Sequence, residues 1–201
     1  MRTISKDLQK LMQQCEFMAS AYKLAGPPLK RNRNTGFETL FRIVVDQQIS
    51  VQAGAAIWRR IEQRFGEISA ERISEACPSA LQQCGLSKQK TQYASELANA
   101  INSGALILEN LKKLDDQRVI QQLTAVRGIG IWTAEIYLMF AMGRPDILPA
   151  GDLALQVATK NLLKLNERPK TRELRVIGER WAPYRTTASF MLWQYYKIPK
   201  Q

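Results

Sequence analysis

Apolar residues recur at helical spacing along nearly the whole chain, interrupted at short intervals by glycine, proline or a side chain suited to capping. Phe37, Leu40, Phe41, Val44 and Val45 keep the i, i+3, i+4 rhythm and run into Gln47-Gln48-Ile49-Ser50. Gln48 continues the 37, 41, 44 stripe at a position where an apolar residue is expected. Ile57, Trp58, Ile61 and Phe65 mark a second helix, stopped by Gly66. Short helices are predicted over 70–76 and 78–83, with Pro78 in the first turn of the latter and Gly85 beyond its end. Ser87 caps a helix to about Ser103, and Asp115-Asp116 open one that ends near Ala125. Another runs from about 131 to 142 and ends at Gly143-Arg144-Pro145. Asp152 starts a helix to about Leu163, and a last pair spans about 170–181 and 184–197, parted by Pro183. Met1 to Phe17 is charged and helix-like. With no strand pattern, no internal repeat and short linkers, the chain is expected to be all-α, its lobes packed around a shared cleft.

The chain has 201 residues, 45% of them apolar, enough for a sizeable core. Lys and Arg number 29 against 18 Asp and Glu, a net charge of +11. That excess favours a polyanionic partner, nucleic acid first and an anionic membrane surface second; an ordinary basic enzyme stays open. Histidine is absent, which excludes mechanisms needing an imidazole from this chain. Cysteines stand at 15, 77 and 84 without a C-x-x-C, so a disulfide scaffold, a zinc site and a four-cysteine iron–sulfur cluster are not expected. The N-terminus lacks a signal-peptide apolar stretch, and no apolar run reaches transmembrane length. The expected location is cytoplasmic, associated with the nucleoid, with no membrane partner.

Two features carry chemistry. Gly128 and Gly130 flank Ile129 between two helical segments. Glycine tolerates positive φ and close backbone approach, so turn N–H groups and the next helix N-terminus could face a phosphate oxygen. Such a contact fixes position without reading sequence. The alternative is a plain helix–helix turn with Ile129 plugging the core. The second feature is Asp152, a lone acid after Leu148-Pro-Ala-Gly, placed either to cap a helix or to present one carboxylate at a cleft.

Val126-Arg-Gly-Ile-Gly-Ile-Trp-Thr-Ala134 followed by Leu148-Pro-Ala-Gly-Asp152 resembles the helix–hairpin–helix, Gly/Pro-rich loop, aspartate signature of a DNA glycosylase superfamily. Within it the chain is similar to the 3-methyladenine DNA glycosylase II family. The resemblance runs from about 36 to 197 and takes in Asp46-Gln-Gln-Ile-Ser50, Gly85-Leu-Ser-Lys-Gln-Lys90 and Glu179-Arg-Trp-Ala-Pro-Tyr-Arg185. It implies two helical lobes around a DNA-binding cleft: about 1–35 with 145–201, packed on a central lobe of about 36–144. It also implies the short form, since the extra N-terminal β-rich domain of long-form members exceeds this chain's length.

By position, the resemblance implies that Asp152 is the catalytic aspartate. Gln48 would fill the gap left by an extruded nucleotide, with Gln47 beside it. Trp132 and Trp193 would line the base pocket, with Ile136 one helical turn past Trp132. Arg127, Gly128, Ile129, Gly130 and Thr133 would meet DNA. Carbonyls near Thr124, Val126 and Ile129 would hold a monovalent cation, sodium or potassium, bridging to a phosphate; no other cofactor is implied. Lys88, Lys90, Arg127, Arg144 and Arg185 are candidate phosphate neighbours, each also readable as a solvated charge.

The chemistry implied is excision of alkylated purines, of the 3-methyladenine and 7-methylguanine type, from duplex DNA by a monomer. A base inside a duplex must be rotated out, at a few kcal/mol. Alkylation leaves the purine positively charged and a good leaving group, and each indole favours a cation by about 0.5–2 kcal/mol. Asp152 would stabilise the oxocarbenium-like sugar and activate water. Relatives that also cleave the strand carry lysine where this chain has Trp132, so no Schiff base forms from that position and no lyase activity is expected. The rival class is a non-catalytic damage-binding protein that uses the same hairpin.

Overall fold

Six of the described helices start at a short side chain that takes a backbone N–H the helix leaves unpaired. Ser5, Ser50, Ser69, Ser87, Asp115 and Asp152 each accept from the N–H three residues on, at 2.9–3.3 Å. The computed structural model describes residues 5–29 and 32–198. Every element among them is helical, with no strand. None of the described helices is long and apolar enough to cross a membrane.

The chain divides into two compact units, Met1–Asn32 with Gly143–Gln201, and Arg33–Met142. The first begins with α1 (Lys6–Gln14) and α2 (Glu16–Ala25). The expected helical character of Met1 to Phe17 thus resolves into one helix that stops at Cys15 and the start of another; residues 1–4 lie outside the described residues.

The second unit contains α3 (Phe37–Asp46), α4 (Val51–Phe65), α5 (Ala70–Glu75), α6 (Pro78–Gln83), α7 (Lys88–Asn102), α8 (Asp116–Thr124) and α9 (Ile131–Phe140). A 3-10 segment over Leu108–Lys113, which the periodicity does not announce, joins α7 to α8. The α3 stripe is the core the sequence predicts, with Leu40, Phe41, Val44 and Val45 fully buried. The stripe ends sooner than its period suggests. α3 stops at Asp46, and Gln48 sits in the following turn at φ 53, exposed, so it is not a member of the helix face. α9 is buried at every position from Thr133 to Phe140, as expected of a helix apolar all round.

The first unit resumes with α10 (Leu153–Leu162), α11 (Thr171–Gly178) and α12 (Arg185–Tyr196). The single helix predicted over 170–181 ends at Gly178 and gives way to a 3-10 turn, Glu179–Trp181. Trp181 is fully buried, so its apolar side chain carries the pattern past the true helix end. The core here joins Leu8, Leu11 and Met18 to Leu148, Leu155, Leu174 and Met191. Cys15, Cys77 and Cys84 are free thiols.

Candidate active site

The loop before α10 is tied down at each step. The Asp152 N–H donates to the Pro149 carbonyl at 2.9 Å, and the Ala150 N–H to that of Leu148 at 2.8 Å. Gln156, buried one turn into α10, reaches back to the Ala150 carbonyl at 2.8 Å and is itself held by Arg168 at 2.8 Å. A side chain at Gly178 would run into Leu148, so that glycine lets the end of α11 lie against the loop.

The product of this bracing is one oriented carboxylate. Asp152 Oδ1 accepts from the Leu155 N–H at 3.0 Å and from the Trp193 indole Nε1 at 3.1 Å. The side chain that caps α10 is therefore also the one that the Trp193 indole holds. Asp152 is half-buried, and its neighbour Leu153 is 59% exposed. Trp193 lies on α12, half-buried, edge-on to Phe190 at 5.9 Å between ring centroids. It presents its N–H edge to the acid.

In the other unit, α8 and α9 form the hairpin. The Val126 N–H returns to the Leu123 carbonyl and the Ile129 N–H to that of Val126, each at 3.1 Å. Gly128 has φ +91, and any Cβ there would collide with the Tyr93 ring from α7. Gly130 begins α9 and has only open space where its Cβ would be. The backbone N–H groups of Ile131 and Thr133 in the first turn of α9 have no carbonyl partner within the helix, and the helix dipole adds positive charge there. This is the physical basis of anion binding at such a turn.

The individual expectations divide. Arg127 is exposed, 3.7 Å from Glu96, a solvated pair. Ile129 and Val126 are buried, which leaves only their backbone for any ligand. Thr133 is 2% exposed and its hydroxyl accepts from Gln47 Nε2 at 2.9 Å, which leaves its backbone N–H and not its side chain for DNA. Gln47 Nε2 also donates to the Gly128 carbonyl at 3.0 Å, so its amide braces the hairpin instead of meeting a base. Trp132 is half-buried at the second position of α9, and Ile136 is buried a turn later.

Two of the five candidate phosphate neighbours change role. Lys90 Nζ turns inward and donates to the Val45 and Gln47 carbonyls at 2.7 and 2.6 Å. Burial pulls its pKa below the usual lysine value, opposed by the charge of Asp46. Arg185 forms a two-pronged pair with Asp146 at 2.8 and 2.7 Å, which occupies the guanidinium. Lys88 is exposed and Arg144 half-buried.

The model of the HhH-GPD superfamily of base excision DNA repair proteins matches residues 41–183, most of the chain. The chain belongs to this superfamily. A relative from Schizosaccharomyces pombe, DNA-3-methyladenine glycosylase 1, is 31% identical over 183 residues, covering 88% of this chain and 80% of that one. The solved structure of the 3-methyladenine DNA glycosylase of that yeast, in complex with abasic DNA, superposes with a TM-score of 0.86 at 29% identity, over 94% of this chain and 96% of the other. A longer Bacillus subtilis relative is 29% identical over 85% of this chain, which spans 62% of its length.

Sequence reasoning missed three features. The Trp193 N–H joins residues 41 positions apart, and no local pattern signals it. The inward turn of Lys90 is equally silent, because a lysine one turn into a helix reads as solvated. Ile49, Val51 and Ile131, close in sequence to Gln48 and Gly130, stay 38%, 67% and 55% exposed, which the apolar pattern does not announce.

Proposed function

We propose that this chain is a monofunctional DNA glycosylase that hydrolyses the N-glycosidic bond of alkylated purines rotated out of duplex DNA. The observation that carries the reading is the Asp152 carboxylate, oriented by the Leu155 N–H and the Trp193 indole on a loop braced by Gln156. A bare cap needs the first of these donors and not the second.

The chemistry follows from charge. As the bond from C1′ to the purine nitrogen breaks, its electron pair passes to the base and cancels the positive charge that alkylation placed there. The base leaves neutral, so a general acid is not required. The deoxyribose gains oxocarbenium character, which a fixed carboxylate stabilises. Water adds at C1′ and its proton passes to Asp152, acting as general base. Trp132 would receive the cationic purine on its ring face. A tryptophan side chain offers no amine for a Schiff base, which supports hydrolysis without strand cleavage.

Binding rests on the hairpin. The backbone N–H groups at the start of α9 would hold one phosphate, with Arg127 supplying charge nearby. Gln48 would enter the duplex, for which its exposed, left-handed turn is suited. The carbonyls of Thr124, Val126 and Ile129 would hold a sodium or potassium ion. Among the described residues no cluster of acidic, cysteine or histidine side chains suits a metal, whereas a helix C-terminus followed by a turn offers oxygen donors of the kind alkali cations accept. When bound, that ion supplies positive charge between turn and phosphate. The relative solved with abasic DNA supports the choice of partner. The test is incubation with methylated duplex DNA: free alkylated purine is expected by chromatography, with no covalent DNA adduct after borohydride. Tight lesion binding without base release would establish the binding-only reading in its place.

A further inference from the structure

One face of α7 touches both halves of the DNA-directed machinery in the Arg33–Met142 unit. Lys90 Nζ donates to the carbonyls of Val45 and Gln47, at the end of α3 and the first residue of the turn beyond it. One turn along, the Tyr93 ring fills the space against Gly128 of the hairpin, its hydroxyl held by Gln89 at 2.6 Å. Another turn along, Glu96 lies 3.7 Å from Arg127. Gln47 closes the circuit, since its backbone carbonyl is held by Lys90 while its amide grips the Gly128 carbonyl and the Thr133 hydroxyl.

The residue caught between these anchors is Gln48. Its φ of 53 is a left-handed conformation disfavoured for a non-glycine residue, so surrounding bonds must impose it. The Lys90 ammonium is the strongest of them. It is charged, half-buried, and spans the carbonyls on either side of Asp46, just before the left-handed residue. The charge also meets the negative end of the α3 dipole, an arrangement that favours a fixed helix end.

We propose that Lys90 is a positioning residue for base extrusion: it locks the Gln47–Gln48 turn so that Gln48 is presented to DNA in register with the hairpin. Lys90 then acts on the opening of the duplex and not on the bond-breaking step at Asp152. The proposal rests on the glycosylase reading and on Gln48 as the inserted residue.

The test is single-turnover excision on two duplexes carrying one 7-methylguanine, paired opposite cytosine in the first and opposite an abasic gap in the second. The gap leaves no pairing to break and no orphaned base to hold. Lys90→Met, which removes both charged hydrogen bonds, is expected to slow excision at least about tenfold on the paired duplex, the scale of even one such bond, and to leave the gapped duplex near wild type. Lys90→Arg, which keeps the charge, should recover most of the loss. In a Gln48→Ala background, Lys90→Met should add nothing, because both changes disable the same device. Equal losses on both duplexes, or full additivity with Gln48→Ala, would overturn the proposal by making Lys90 a support of the fold alone; melting of each variant reports that directly. Wild-type excision by Gln48→Ala removes the insertion role itself. An impaired Gln48→Ala beside an unimpaired Lys90→Met removes Lys90 only.

Discussion

The Trp193 indole N–H and the Leu155 backbone N–H converge on one oxygen of Asp152, at 3.1 and 3.0 Å, so a tryptophan on α12 aims the acid that opens α10. Trp193→Phe keeps an aromatic ring but removes that donor, together with one ring of the indole. A hydrogen bond to a charged group contributes about 1.5–3 kcal/mol, so excision is expected to fall one to two orders of magnitude. Affinity for undamaged duplex should not change. Single-turnover rates beside binding isotherms check this; an unchanged rate would reduce Trp193 to packing against Phe190.

The hairpin glycines should separate. Gly128→Ala places a methyl group against Tyr93 at φ +91, and is expected to cost about 2 kcal/mol or more, read as a lower Tm. Gly130→Ala meets open space and should change stability by no more than about 0.5 kcal/mol, while weakening DNA binding by crowding the phosphate. Melting and DNA titration of both variants decide the matter. Equal behaviour of the two would contradict it.

Gln48→Gly has an unusual expected signature. Glycine occupies the left-handed region without the penalty glutamine bears there, so the variant should fold at least as stably as the parent. Its preference for lesion over undamaged DNA should nevertheless fall, because nothing remains to enter the duplex. A drop in Tm would show that the turn is held by the side chain and not by its neighbours.

Asp146 gives a pH signature. Burial pushes its carboxyl up, but the side-chain bonds, backbone N–H and charge of Arg185 together outweigh burial and hold it below the usual carboxylate range. A carboxyl lowered in the folded state stabilises fully above its ordinary value of about 3.9, and that contribution fades as pH falls through the lower folded value. Asp146→Asn should therefore lower Tm at neutral pH. The gap from the parent should close as pH drops below about 4, as seen by melting across a pH series.

Local chemistry made much of this protein legible. The capping of Ser87, Asp115 and Asp152, and the stop at Gly66, depend on a few adjacent residues. What escaped depends on residues far apart in sequence. Periodicity extends the α3 stripe to Gln48, because nothing at positions 46–48 is a glycine or proline that would end it. The helix stops there with its end carbonyls held by Lys90 from α7, 45 positions beyond Val45. The resemblance places Thr133 at DNA, yet its hydroxyl is turned inward to Gln47, 86 positions away. Arg185 looks like a phosphate ligand until Asp146, 39 positions earlier, is found across from it.

The most direct measurement is base release from methylated duplex DNA by the parent chain and by Asp152→Asn, with lesion affinity measured on the same samples. The variant keeps a side-chain oxygen to accept from Leu155 and Trp193 but loses the charge. Excision should fall by several orders of magnitude while lesion binding persists. Base release by Asp152→Asn at the parent's rate would make Asp152 a helix cap and nothing more, and would contradict the account.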